Sequence, residues 1–185
     1  MLKRVFAALS LITFTCGVAA ADDIALAHRR DNAEADAVEI ISMRSALAKE
    51  FIKPGAEVNE ETFKKVCGEV GKKVKEISER EGVVIRHSAV KSRNPKNSAT
   101  PEEAVLMERF EKEKKLKGID EEAFFDGKKY FRVTRPIYVE KACLACHGDK
   151  DSRPLFIKEK YPEDRAYGFK TGDLRGLISI LIPLD

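Results

Sequence analysis

The stretch Ala123-Phe124-Phe125-Asp126-Gly127-Lys128-Lys129-Tyr130-Phe131-Arg132-Val133-Thr134-Arg135-Pro136-Ile137-Tyr138-Val139 carries the pattern that decides the fold. Asp-Gly is a two-residue hairpin turn, because both positions tolerate the positive φ such a turn needs, and the aromatic and β-branched residues on either side favour strands. Working outward, Leu174 to Leu184 is apolar on both faces, as expected of a central strand. Val83-Val84-Ile85 reads as a further strand after the breaker Gly82. The rest of the chain is helical in pattern. Ala37, Val38, Ile41, Ala46, Leu47 and Phe51 recur at helical spacing between Ala25 and Phe51, and Pro54-Gly55 stops that helix. Phe63, Cys67, Val70, Val74 and Ile77 trace one stripe of a second helix from Thr62 to Arg80. Thr100-Pro101-Glu102-Glu103 opens a third, with a capping hydroxyl, Pro at the first position and an acid at the third. A short helix spans Leu155 to Lys160. Helices, a strand, a helix, a hairpin, a loop region and a last strand together predict an α+β domain, an antiparallel sheet with helices packed on it.

Composition is compatible with one such domain. The chain has 185 residues, 43% hydrophobic and 35% charged, with 11 Gly and 7 Pro. That is enough chain to bury a core, and it excludes collagen, a coiled-coil rod and a disordered tail. The net charge is +3, but two of the bases, Lys3 and Arg4, lie in the segment considered next. What remains is close to neutral and gives no support to nucleic-acid binding.

Met1-Leu2-Lys3-Arg4 is a short positive stretch, followed by an apolar run from Val5 to Val18 and the small residues Ala19, Ala20 and Ala21. These are the parts of a secretory signal peptide over residues 1–21. The run is shorter than the ~20 apolar residues a membrane span needs, although an uncleaved anchor is the competing reading. Cleavage leaves an exported domain over residues 22–185, soluble and free of the membrane, with 22–56 as a leading helical segment. Cys16 goes with the signal. Cys67, Cys143 and Cys146 stay, an odd number that does not suit a simple disulfide framework in an oxidising compartment.

Cys143-Leu144-Ala145-Cys146-His147 is C-x-x-C-H, the c-type haem attachment pattern. Two thiols on one helical turn reach the two porphyrin vinyl groups, and the adjacent imidazole reaches the iron. A thioredoxin-like pair, a zinc site completed by Cys67, His28 or His87, and a plain disulfide compete with it. The first lacks its βαβ setting, the second lacks a second ligand pair, and the third leaves His147 without a role.

The long leading helix, the helix bearing one Cys and the turn Arg93-Asn94-Pro95-Lys96-Asn97 occur in order. A Glu-rich helix, Lys129-Tyr130-Phe131-Arg132 before Pro136-Ile137, the C-x-x-C-H with Gly148, and Asp164 to Ile178 follow. In this combination the chain resembles the PAS-like single-haem c domain family, long catalogued as a domain of unknown function and typified by a cyanobacterial protein. The resemblance covers most of residues 22–185. Val70-Gly71 departs from it, standing where the family often has Ala-Pro after the helix Cys. The resemblance implies a PAS-like antiparallel sheet with a long N-terminal helix, one covalent haem c, His/Cys axial ligation, and a redox or gas-sensing role.

For the sixth ligand the residues themselves offer Cys67, Met43, Met107, His28 and His87. Cys67 lies on an apolar stripe beside Gly68 and Gly71, which would admit a flat macrocycle. An ordinary core cysteine fits that stripe equally well, and it is the resemblance that favours Cys67 as the ligand. Met43 is more easily a core residue, His28 a residue near the new N-terminus, and His87 stands on a strand. Arg93 and Asn97 are candidates for haem propionates, against a simple capped turn. Lys72, Lys73 and Lys75 form a solvated helix face. Three classes of function follow: a redox or small-gas sensor that takes up carbon monoxide or nitric oxide on reduction, an electron-transfer cytochrome, and a peroxidase-type enzyme. A six-coordinate His/Cys iron has no open site for the third. The first requires a separate redox or signalling partner protein, since the chain shows no output segment.

Overall fold

The computed structural model describes residues 16–53 and 55–184, so the expected signal segment falls largely outside the described residues, as does Pro54. The order is α1 (Cys16–Phe51), α2 (Glu60–Phe63), a π-helical turn (Lys64–Gly68), α3 (Glu69–Glu81), β1 (Val84–Ser88) and α4 (Pro101–Lys112). It continues with β2 (Ile119–Phe125), β3 (Lys128–Tyr138), α5 (Leu144–His147), α6 (Leu155–Lys160) and β4 (Leu174–Pro183). The four strands form one antiparallel sheet in the order β1-β4-β3-β2. The predicted α+β architecture holds.

The hairpin forms as its sequence requires. Asp126 and Gly127 take φ of 48° and 74°, the left-handed pair of a type I′ turn, and Phe125 pairs with Lys128 across it. β4 runs between β1 and β3 and is buried along almost its whole length. Gly176 permits this: a Cβ there would lie 2.4 Å from the carbonyl oxygen of Ser88, so β1 could not approach. On one face of the sheet Ile178, Ile180 and Ile182 meet Ala33, Ala37 and Ile40 of α1 and Val70 and Ile77 of α3. On the other, Leu174 and Leu177 meet Leu106, Met107 and Phe110 of α4. The predicted capping box of α4 is present, with Thr100 Oγ1 accepting the Glu103 N–H at 3.2 Å and Glu103 Oε2 accepting the Thr100 N–H at 2.9 Å. Such a cap contributes about 1 kcal/mol.

The second helix differs from expectation. It is interrupted at Lys64–Gly68 by a π-helical turn, whose wider winding displaces the residues after it. Val66, Val70 and Ile77 are its buried residues, and Cys67, expected on the apolar stripe, is solvent-accessible. Its sulfur opens into a cavity that Phe63 and Val70 of the same stripe also line. Among the described residues no helix is long and apolar enough to cross a membrane.

Candidate functional site

Cys143, Cys146 and His147 lie where a 3-10 turn (Lys141–Cys143) runs into α5, so the i, i+3, i+4 spacing places them along one side of a single short helical segment. Cys146 is buried, Cys143 is partly so, and no disulfide joins them. His147 Nδ1 is 2.7 Å from the carbonyl oxygen of Ala166. Arg93 Nη2 also lies 3.3 Å from Nδ1, but the Ala166 contact is much the shorter and a carbonyl can only accept, so Nδ1 carries the proton and Nε2 keeps its lone pair, the state in which an imidazole ligates a metal. Burial, joined by the positive charges of Arg175 and Arg93, holds the His147 pKa well below its ordinary value, so the ring is neutral. Phe169 stands edge-on to the ring at 6.3 Å, and its backbone N–H donates to the His147 carbonyl at 3.1 Å.

His147 faces a half-open cavity of about 280 Å³, near the lower end of the roughly 300–1,000 Å³ usual for small-molecule and cofactor sites. Cys67 opens into the same cavity from the π-helical turn, beside Gly71, where an added Cβ would meet nothing within 4 Å. Although the thiol is accessible through the cavity mouth, the surrounding walls desolvate it and push its pKa up, opposed by Arg44 and Arg93. The Cys146 thiol is pushed up to about 11 by the same cause. His87 projects from β1, and its Nε2 accepts a hydrogen bond from Arg44 Nη2 at 2.7 Å. Its pKa is pushed down to about 3, first by burial and then by Arg44 and Arg175. Among the described residues no three His, Cys, Asp or Glu side chains converge closely enough to share a bare metal ion. The donors are spread around a space instead.

Three guanidiniums, Arg44, Arg93 and Arg175, line that space, and no carboxylate does. Arg93 donates to the Cys146 carbonyl at 2.6 Å and lies 3.4 Å from the Asp164 carboxylate. Burial, with Arg93 and Arg44 close by, pushes Arg175 down to about 10. Arg44 Nε and Ser88 Oγ are buried with no hydrogen-bond partner. Desolvated cations with unused donors are costly, and a pocket built this way favours an anionic guest.

The sequence profile of the Tll0287-like family matches residues 21–183. The chain belongs to the Tll0287-like family. A solved crystal structure, that of the cyanobacterial haem protein Tll0287, shares 37% sequence identity with it, at a TM-score of 0.74. The match covers 84% of this chain and 94% of that one. No curated protein matches. The family resemblance seen in the separated motifs therefore holds.

The residues present fit the group that the Tll0287-like family implies. A haem carries two propionate carboxylates, and a thiolate at Cys67 would add a third negative charge, against the buried Arg93 and the half-buried Arg44 and Arg175. Of the sequence candidates, the structure brings Cys67, His87, Arg93, Asn97 and His147 together around one cavity. Met107 is packed in the core beneath α4, His28 is exposed on α1, and Met43 does not line the cavity. Sequence reasoning passed over Arg44, Ser88, Asp164 and Arg175. Two of them had left a signal. Arg44 occupies the position after Ala33, Ala37 and Ile40 on the buried stripe of α1, and Arg175 is the one charge inside the apolar run Leu174 to Leu184.

Proposed function

We propose that this chain is an exported haem c protein in which residues 1–21 are removed as a signal peptide. Residues 22–185 then form one PAS-like domain binding a single haem through thioethers at Cys143 and Cys146. His147 and Cys67 would supply the axial ligands. Arg44, Arg93 and Arg175, with Asn97 at the rim, would hold the propionates. The observation that carries this reading is that a helical turn presenting two free thiols and a neutral imidazole adjoins a cavity which Cys67 and three arginines also line. Similarity to the haem protein Tll0287 supports it.

Bound haem supplies a one-electron iron couple and, when reduced, an affinity for diatomic gases such as carbon monoxide or nitric oxide. His147 is held in one tautomer by the chain, so its position does not depend on the charge of the site. Cys67 is placed differently. It sits on a π-helical turn, a feature that recurs at functional sites. A change in what Cys67 binds would be transmitted directly into α3. That asymmetry favours a redox or small-gas sensing role, with a separate partner protein reading the movement.

Purified mature protein tests the reading. Its intact mass should exceed the polypeptide mass by one haem, and acid-acetone should leave the colour on the protein. Colour that passes into the organic phase overturns covalent attachment.

A further inference from the structure

In the loop from Asp164 to Phe169, whose Ala166 carbonyl and Phe169 ring hold His147, Asp164 itself is left without a role by the haem reading. Its carboxylate is completely buried. Oδ1 accepts the backbone N–H of Ala166 at 2.8 Å, Oδ2 accepts from Arg153 Nη1 at 2.7 Å, and Arg93 Nε lies 3.4 Å from Oδ2. Arg93 in turn donates to the carbonyl of Cys146. One carboxylate therefore ties together a loop residue, the attachment turn and two guanidiniums. A carboxylate taken out of water survives only when paired this completely. Ala166, also fully buried, is held through its N–H by Asp164 and offers its carbonyl to His147 Nδ1.

We propose that Asp164 is the positioning residue of the iron-binding histidine: it fixes the carbonyl that orients His147 and offsets the charges of Arg93 and Arg153. The inference rests on the reading of His147 as an axial ligand. Outer-shell partners of a ligating histidine set its tautomer, its ring orientation and the basicity of the ligating nitrogen, and they tune the metal accordingly. Asp164 acts here through a backbone carbonyl and through Arg93 rather than by touching the imidazole, which makes it invisible to a search for His–carboxylate pairs. Its charge offsets Arg93 and Arg153. Without it, two positive charges beside the site would be uncompensated and would favour the reduced state.

Two variants of the haem-loaded protein separate charge from geometry. Asp164→Asn keeps an oxygen for the Ala166 N–H and removes the charge. It should keep the low-spin spectrum and raise the ferrous-to-ferric ratio at a fixed poise about tenfold, equal to about 59 mV for a one-electron couple. Asp164→Ala removes the anchor as well, and should speed solvent exchange of the His147 Nδ1–H in NMR spectra of the reduced protein. An unchanged potential in Asp164→Asn overturns the proposal, and so does an unchanged exchange rate in Asp164→Ala. If the alanine variant does not fold, the asparagine variant alone decides. His147→Ala is the control for the underlying reading. If that variant keeps the wild-type spectrum, the ligand assignment fails and the role of Asp164 falls with it. If it loses the low-spin spectrum while both Asp164 variants match wild type, only the role of Asp164 fails.

Discussion

The wall of the cavity that carries His147 and the wall that carries Cys67 are built differently. Around His147, the imidazole N–H, the Ala166 N–H, the Cys146 carbonyl and the Asp164 carboxylate are all matched to partners inside the chain, and Arg93 Nε, though without a hydrogen bond, lies 3.4 Å from the Asp164 carboxylate. Around Cys67, Arg44 Nε and Ser88 Oγ have no partner inside the chain, the thiol is accessible, and the helix beneath it is wound as a π-turn. Groups locked by their neighbours are positioned before a cofactor arrives and stay put afterwards. Groups left with unused donors respond to what they bind. The sensing role proposed above would use both, a fixed side to hold iron and a yielding side to report on it.

The largest effect should come from the fixed wall. Replacing both Cys143 and Cys146 by Ala should abolish covalent attachment, and mass spectrometry of the mature protein should show the polypeptide mass alone. A haem adduct surviving in that double variant would move the attachment point elsewhere. On the yielding wall, Cys67→Ser should leave attachment intact and change the electronics. An anionic sulfur favours the ferric state, so its loss should raise the reduction potential by at least a tenfold change in the ferrous-to-ferric ratio, about 59 mV. Any thiolate-to-iron charge-transfer band should vanish and carbon monoxide should bind the reduced protein more readily. Unchanged spectra and potential would reduce Cys67 to a cavity-lining thiol and remove the contrast between the two walls.

Much of this was legible before any coordinates. The hairpin, the capping box of α4 and the double-sided burial of β4 followed from Asp126-Gly127, Thr100-Pro101 and Leu174–Leu184, because each is set by local chemistry or by a long apolar run. The helical turn that carries Cys143, Cys146 and His147 was legible for the same reason, since its spacing is its geometry. The π-turn was not. The spacing of Phe63, Cys67, Val70, Val74 and Ile77 fits a regular helix, and a turn of wider winding leaves that pattern unchanged. Asp164 was hidden because its partners, Arg93, Arg153 and a backbone N–H, are joined by tertiary folding alone.

Histidine on the yielding wall gives a pH test. His87 titrates at about 3 in the folded protein, against about 6.5 when unfolded. Between those values the unfolded chain binds a proton that the folded one refuses, so stability falls as pH drops from about 6.5 toward 3. The slope contributed is up to about 1.4 kcal/mol per pH unit, and above pH 6.5 His87 contributes none. His87→Gln keeps an acceptor for Arg44 and cannot titrate in this range, so urea midpoints between pH 7 and pH 4 should fall less steeply than in wild type. Parallel slopes would show that His87 binds protons alike in the folded and unfolded states and is not held down by its surroundings.

The smallest effect should come from Arg44, and its sign carries the information. In the Cys143→Ala, Cys146→Ala background no haem is attached, and Arg44 has to satisfy itself within the chain. Its guanidinium is pressed down in pKa by burial, gives one hydrogen bond to His87, and leaves Nε unused. A buried charge so poorly paired costs more in lost hydration than it regains, and an apolar residue of similar length can take its place without loss. Arg44→Met should therefore raise the stability of the haem-free protein by about 1 kcal/mol, read from its urea midpoint. The same substitution removes a cation that lowers the Cys67 pKa, so the thiol should climb further and alkylate more slowly with iodoacetamide at pH 8. In the haem-loaded protein the stabilisation should disappear, because there Arg44 has an anionic group to meet. If Arg44→Met destabilises both forms equally, Arg44 is a structural residue of α1, and the yielding wall is as self-sufficient as the fixed one.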